Sequence, residues 1–185
     1  DSWNNITPPQ APKFLMINSI ETSFFKSGEA YIAGTSYKMG DFKPYLFKTN
    51  DYGKTWKKIV NGIKPEHFTR VLRSDPARKG LLYAGTESGL YVSYDDGESW
   101  SSFQKNLPIV PITDLTIKDN SLIVATQGRG IWILDDLTVL HQINDSTVNN
   151  QINLFAPKDS YRMRGSGGKS SKTAGTNIEN GVIVY

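Results

Sequence analysis

The feature of this sequence that most constrains its fold is an eight-residue motif that occurs twice, 44 residues apart. Thr49–Trp56 and Ser93–Trp100 share the pattern Ser/Thr-x-Asp-x-Gly-x-Ser/Thr-Trp. A repeat of about 40 to 50 residues is typical of four-stranded propeller blades. The segments between the motifs are short, rich in β-formers and punctuated by turn residues. The sequence therefore predicts an all-β fold built from β-propeller blades.

The residues that flank the motif also repeat. Strand-like segments with small residues near their ends precede both motifs, at 30–35 and 82–86, and a third such segment lies at 122–126. After each motif tryptophan comes a short strand and then a Gly or Pro turn. We therefore expect a partial propeller of about three four-stranded antiparallel blades. The predicted blades span about 15–61, 67–106 and 111–142, the last without the motif.

The two ends of the chain suggest a piece of a longer protein. Asp1-Ser2-Trp3 matches the second half of the motif, and the residues after it match the tail of a blade, which predicts an outer strand within residues 1–8. The propeller part is expected to cover 1–143. Residues 144–185 are polar and then Gly- and Ser-rich, which predicts a linker followed by the start of another β-rich module.

The chemistry of the motif is that of a turn. The carboxylate can accept backbone N–H groups of its own loop, the glycine supplies a backbone shape that other residues resist, and the tryptophan packs between sheets. Because the same residues recur from blade to blade whereas an active site is unique, we predict a structural role for them. These residues are Asp51, Gly53, Thr55, Trp56, Asp95, Gly97, Ser99 and Trp100.

Composition excludes several kinds of site. The chain has no cysteine, so disulfides, thiolate zinc sites and a cysteine nucleophile are excluded. With only His67 and His141, a histidine-rich metal site is excluded too, and we expect neither metal nor cofactor. The net charge is +3 with both signs interspersed, which does not favour nucleic acid. No apolar run approaches the roughly 20 residues of a membrane helix, so membrane insertion is not expected.

Three blades form only an arc, whereas propellers typically close with 4 to 8 blades. The open sheet edges of an arc invite pairing with other strands. The expected partners are therefore the missing blades of a parent protein, a second copy of this chain, or both.

The two motifs resemble the Asp-boxes (BNR repeats) of sialidase, xyloglucanase and sortilin propellers. The closer resemblance is to the exported bacterial sortilin-like or "glycosyl hydrolase-like" family, and it covers almost the whole chain. The segments that carry it are Asp41–Leu46, Leu82–Ser93, Ala125–Asp136 and 177–181.

The resemblance implies an extracytoplasmic location, whether periplasmic, cell-surface or secreted, but little about activity. Its hydrolase label comes from the repeat alone, and the repeat is a fold marker that enzymes and receptors share. Gln127 stands where the family would have a histidine. The sialidase Arg-Ile-Pro motif is absent.

Ligand sites on propellers usually lie near the axis on the rim opposite the Asp-box turns. For each candidate there a structural alternative stays open. Arg129 can brace backbone carbonyls, Arg70 can pair within the core, and Tyr37 can fill a gap between blades rather than stack on a ligand. His67, Glu87 and Asp41 can be surface or loop groups. The candidate ligand-binding residues are Tyr37, Asp41, His67, Arg70, Glu87, Gln127 and Arg129.

Two functions fit these observations. The first is a non-catalytic binding or scaffold module of a larger exported protein, with a glycan or a peptide as ligand. The alternative is part of a glycoside hydrolase, which needs two carboxylates across a cleft. Asp41, Glu66 and Glu87 are candidates, but no spacing in the sequence pairs them.

Overall fold

The computed structural model describes residues 2–160 and 182–184. These residues form three antiparallel sheets, which follow one another along the chain. Blade 1 contains β1 (Met16–Thr22), β2 (Ala30–Ser36), β3 (Asp41–Thr49) and β4 (Lys57–Lys58). Blade 2 contains β5 (Thr69–Ser74), β6 (Leu82–Thr86), β7 (Gly89–Ser93) and β8 (Ser101–Ser102). Blade 3 contains β9 (Ile112–Lys118), β10 (Ser121–Thr126) and β11 (Ile131–Leu134).

Within each blade the strands pair in chain order, so that β1, β5 and β9 are the first strands of their sheets. β1 and β5 pack together, as do β5 and β9, so the first strands line the inside of the arc. This is the arrangement of β-propeller blades. Among the described residues blade 3 has three strands where the sequence predicts four. No Asp-box follows β11, and the next element is the helix α1 (Thr138–Gln142) rather than a strand.

The main core lies between blades 1 and 2, because each blade presents an apolar face to its neighbour. Blade 1 contributes Tyr31, Ala33 and Leu46, and blade 2 contributes Leu72 and Trp100, all at most 4% exposed. Residues with this alternation along a strand share one face of the sheet. A second cluster of Ile32, Tyr45 and Phe47 occupies the opposite face of blade 1, which we call the trailing face of blade 1.

The N-terminal segment covers part of that trailing face. The Trp56 indole Nε1 donates to the Ile6 carbonyl oxygen at 2.7 Å, just as Trp100 Nε1 donates to the Ile59 oxygen at 2.9 Å. Residues 3–7 thus occupy the place that the tail of blade 1 occupies against blade 2. No strand forms there, although the sequence predicts one. β4 and β8 exist because each pairs with the strand before its Asp-box, and no described residue offers such a partner to residues 3–7.

A second compact unit begins at Asp136. It contains α1 and the helix α2 (Asp145–Asn149). Asn144 caps α2, because its side chain accepts the N–H groups of Ser146 and Thr147. The predicted linker and β-rich module lie mostly in residues 161–181 and 185, outside the described residues. No described helix is long and apolar enough to cross a membrane.

Candidate ligand-binding rim

The strands run alternately up and down, so the connections fall on two rims. The Asp-box turns lie on one rim, together with the β1–β2, β5–β6 and β9–β10 turns. We call this the Asp-box rim. The opposite rim carries the other connections: 37–40, 59–68, 87–88, 103–111 and 127–130.

Both Asp-box aspartates are held by their own turns. Asp51 accepts the Thr55 backbone N–H at 2.9 Å and the Thr55 hydroxyl at 2.6 Å. These bonds lower the pKa of Asp51 to about 2. Asp95 accepts the equivalent Ser99 N–H at 2.9 Å and the Ser99 hydroxyl at 2.5 Å. A carboxylate that holds a turn together in this way is not available as a proton donor.

On the opposite rim, Arg70 and Glu87 form a salt bridge over an aromatic pair. Glu87 Oε2 accepts Arg70 Nε at 2.7 Å and lies 2.6 Å from Arg70 Nη2. The guanidinium lies 5.3 Å from the Phe68 ring centroid and 6.0 Å from that of Tyr37. The two rings stack at 5.1 Å, with an interplanar angle of 15°. Three predicted candidates, Tyr37, Arg70 and Glu87, therefore come together around Phe68; we call these four residues the Arg70 cluster.

A β-bulge explains how Arg70 leaves the plane of its strand. Thr69 pairs with Thr86 and Val71 with Gly85, so Arg70 is the extra residue of β5. Asn18 in β1 and Thr113 in β9 are extra residues in the same way. All three line one cavity of about 250 Å³ between the inner strands. Bulges re-aim side chains and often occur beside functional sites.

Arg73 lies in the same cavity and was not predicted from the sequence. Its guanidinium donates to the Leu115 carbonyl at 2.9 Å, the Ser19 hydroxyl at 2.8 Å and Asp114 at 2.8 Å. Arg73 therefore ties β5 to both neighbouring inner strands. Phe68 was missed as well. Its only sequence signal is an aromatic residue two positions before Arg70, which is too common to single it out.

Asp41 lies apart, in an open groove of about 580 Å³ that also includes Phe42, Lys43 and Glu66. The Tyr45 hydroxyl donates to Asp41 Oδ2 at 2.5 Å, and this bond lowers the pKa of the carboxyl. Burial and the bond to Asp41 together raise the pKa of Tyr45 to about 12. Phe42 is 53% exposed, and its ring lies 6.1 Å from that of Phe68. The groove thus borders the Arg70 cluster through Phe42.

The remaining candidates are spread along the rim. His67 Nδ1 and the Tyr91 hydroxyl form a hydrogen bond of 2.9 Å, and burial lowers the pKa of His67. Gln127 and Arg129 are exposed in the β10–β11 turn. The Gln127 backbone N–H donates to the Pro111 carbonyl at 2.9 Å. Among residues 2–160 and 182–184, no group of three or more metal-ligating side chains lies together.

No protein-family model matches the chain. It is 35% identical over 68 residues to the vacuolar protein sorting/targeting protein 10 of Pyrenophora tritici-repentis (strain Pt-1C-BFP). That match covers 36% of this chain and 4% of the fungal protein.

Among solved structures, the GH74 enzyme of Niastella koreensis is similar with a TM-score of 0.52 and 15% identity, over 65% of this chain and 21% of that one. The structure of YCF48 bound to D1 peptide gives a TM-score of 0.47 and 20% identity, over 65% and 37%. The chain therefore spans well under half of each protein. At this level of identity the likeness to the GH74 enzyme concerns the propeller fold alone.

Proposed function

We propose that this chain is a non-catalytic binding module of a larger exported protein and that it binds an extended peptide on the opposite rim. The observation that carries the proposal is the Arg70 cluster. Arg70 lines the cavity between the inner strands and pairs with Glu87 beside the stacked rings of Tyr37 and the buried Phe68. Aromatic and arginine side chains on a rigid scaffold are the residues that most often anchor a bound partner.

The groove next to the cluster favours a peptide over a neutral glycan. Asp41, Lys43 and Glu66 place charges of both signs along it, and Phe42 offers an exposed ring. Charges of both signs complement the charged side chains of a peptide and fix its register. The fungal relative that is 35% identical over 68 residues is named for protein sorting and targeting. On the basis of this similarity, we also propose that the chain is located outside the cytoplasm.

The carboxylates of the rim fit binding better than glycoside hydrolysis. A glycosidase needs a general acid with a raised pKa. The pKa of Asp41 is instead lowered by Tyr45, and Glu87 is held by Arg70 in a salt bridge.

The test is to select ligands for the immobilised chain from a random peptide library displayed on phage, and to titrate a selected peptide by calorimetry. Phe42→Ala and Arg70→Gln should each weaken binding about tenfold or more, the scale of a residue that anchors an interface. Phe24→Ala is the matched control, because Phe24 is 62% exposed but lies on the Asp-box rim. Its affinity should equal that of the unchanged chain.

Three results would contradict the proposal. The first is equal affinity of all three variants, and the second is failure to select any peptide. The third is release of reducing sugar from a panel of polysaccharides, lost in Glu87→Gln or Asp41→Asn.

A further inference from the structure

Among residues 2–160 and 182–184, blade 3 has neither a fourth strand nor a tryptophan that follows an Asp-box. In blade 2, Trp100 lies in a core pocket with Ile59, Ile63, Leu82 and Tyr91. By the 44-residue repeat, Ile59 and Ile63 correspond to Phe103 and Leu107. By the strand pairing, Leu82 and Tyr91 correspond to Leu122 and Trp132. These four counterparts line a cleft of about 50 Å³ beside β11. The cleft therefore lies at the position in blade 3 that corresponds to the position of Trp100 in blade 2.

The N-terminal segment has an exposed tryptophan and a stretch of backbone that pairs with no described strand. Trp3 is 97% exposed, and Asp1-Ser2-Trp3 matches the end of an Asp-box. Residues after Trp3 already make one contact of a blade tail, since the Ile6 carbonyl accepts from Trp56 as the Ile59 carbonyl accepts from Trp100. The other half of a tail, the pairing with the strand before it, has no partner among the described residues.

We propose that Trp3–Thr7 adds as the fourth strand to β11 in blade 3 of a second copy of this chain, with Trp3 in the cleft between Phe103 and Trp132 of that copy. Unpaired strand edges recruit strands in this way, since the backbone bonds provide affinity and the side-chain pockets provide register. The proposal rests on the repeat geometry and is independent of ligand binding on the opposite rim.

The repeat fixes the register of the added strand. In each blade, the residue three positions after the bulge pairs with a residue of the second strand. That residue is Tyr31 in blade 1, Tyr83 in blade 2 and Ile123 in blade 3. On the third strands, their pairing partners are, in the same order, Lys48, Val92 and Ile133. Lys48 and Val92 then pair with the residue just after the motif tryptophan, Lys57 and Ser101. The residue just after Trp3 is Asn4, so Asn4 should pair with Ile133 of the second copy.

The blade faces that this pairing brings together are chemically matched. Between blades 1 and 2, Asp96 of the Asp-box turn meets Lys48 and the Tyr31 hydroxyl. The same turn position in blade 1 is Tyr52, which is 71% exposed and lines an apolar groove of about 600 Å³ with Ile17 and Ile20. In blade 3 the counterparts of Tyr31 and Lys48 are Ile123 and Ile133, both apolar. In the proposed dimer, the apolar face of blade 3 would therefore contact the apolar groove of blade 1. At the same position between blades 1 and 2, a lysine contacts an aspartate.

The trailing face of blade 1 is also the face that a neighbouring blade would cover. Ile20 is 68% exposed, whereas its counterpart Leu72 is 0% exposed because blade 1 packs on it. Ile17 is 43% exposed, and its counterpart Thr69 is buried. A blade of the second copy placed on this face would bury the two isoleucines as blade 1 buries Leu72 and Thr69. Burial of apolar surface of this kind supplies most of the free energy of association.

A disulfide tests the register directly, because the chain has no cysteine of its own. Asn4→Cys combined with Ile133→Cys, in a buffer with oxidised glutathione, should give a disulfide-linked dimer or a larger ladder, since paired strand positions lie within the roughly 4.4–6.8 Å Cα separation of a disulfide. Asn4→Cys with Met39→Cys is the control. Met39 is 60% exposed but lies on the opposite rim, so this variant should not crosslink at the same protein concentration.

Light scattering on a sizing column provides the second test. The unchanged chain should have at least twice the 20.6 kDa mass of one copy, and Trp3→Ala should return it to a monomer. Because Trp3 is 97% exposed, its removal leaves the fold of one copy intact. Phe42→Ala, a matched change on the opposite rim, should not change the mass. A monomeric unchanged chain, or crosslinking as strong in the Met39 variant, would overturn the proposal.

Discussion

At the scale of single residues, a charge cluster between blades 1 and 2 determines how firmly the two sheets are joined. Lys48 is only 12% exposed in its side chain and pairs with both Asp96 and Glu29. The Tyr31 hydroxyl donates to the same two carboxylates, at 2.5 and 3.2 Å. The cluster resembles an active site in composition, yet it lies on the Asp-box rim and each group is already bonded to another. Its role is to hold the Asp-box turn of blade 2 against blade 1.

We therefore expect Lys48→Met to destabilise the chain by about 3 kcal/mol, because it leaves two poorly solvated carboxylates without their cation. Lys57→Met is the matched control. Lys57 also pairs with a carboxylate, Glu98, but both side chains are more than 60% exposed, so its loss should cost less than about 1 kcal/mol. Urea unfolding of the two variants measures the difference. Equal losses would show that the cluster adds nothing beyond a surface pair.

The cluster also sets a pH dependence. Burial alone would raise the pKa of Glu29, but hydrogen bonds from Ser23, Lys48 and Tyr31 and the charge of Lys48 outweigh it and lower the pKa below 4.5. A lowered pKa gives stability that is present above the unfolded value and is lost as the pH falls through the folded value. The stability gap between the unchanged chain and Lys48→Met should therefore narrow as the pH falls from about 5 through the lowered pKa of Glu29. A gap that stays constant over this range would contradict the assignment to Glu29.

The sequence predicted individual turn residues better than it predicted the rim. Asp51 and Asp95 accept hydrogen bonds within their own turns, so the eight residues of each Asp-box contain all the partners that form the turn. The contact of Arg70 with Glu87 depends on a bulge in β5 and on the pairing of β5 with β6, and no local pattern shows where a bulge will fall. Arg73 was missed for the same reason, because its partners lie 41 to 54 positions away.

At the scale of elements, the crossover from blade 1 to blade 2 depends on one glycine. Gly62 has φ of +94°, and a Cβ there would lie 2.2 Å from the Trp100 carbonyl oxygen. The residue that precedes it bonds across the blades, since the Asn61 carbonyl accepts the Trp100 N–H at 2.8 Å. The close approach of the two backbones leaves no room for a side chain.

Gly62→Ala should therefore lower stability by about 3 kcal/mol or more, because the backbone strain and the backbone contact add. Gly128→Ala separates the two costs. Gly128 has φ of +83° but nothing within 4 Å, so it should lose only about 1–2 kcal/mol. Thermal unfolding followed by circular dichroism gives both values. A Gly62 variant no less stable than the Gly128 variant would mean that the crossover can shift to admit a methyl group.

At the scale of the whole molecule, the 44-residue repeat predicted the propeller fold, since each blade is one unit that packs on its neighbours. It could not predict how blade 3 ends. β11 carries no Asp-box, and the residues that follow it form helix α1. Short helices of this kind have weak propensity signals and are decided by their surroundings. The sequence predicted candidate ligand-binding residues on one rim, but which of these residues contact one another depends on the register of the sheets.

Association of two copies through the trailing face of blade 1 and the edge of blade 3 would make the stability of the chain depend on protein concentration. If a second copy covers Ile17 and Ile20 and accepts Trp3, association is part of the stability of the folded chain, and mass action makes that stability depend on protein concentration. The melting temperature of the unchanged chain should rise by about 2 °C for each tenfold increase in concentration. Trp3→Ala should melt at one temperature over the same range, and Phe42→Ala should behave like the unchanged chain. A concentration-independent melting temperature for the unchanged chain would mean that the trailing face of blade 1 is stable without a covering blade.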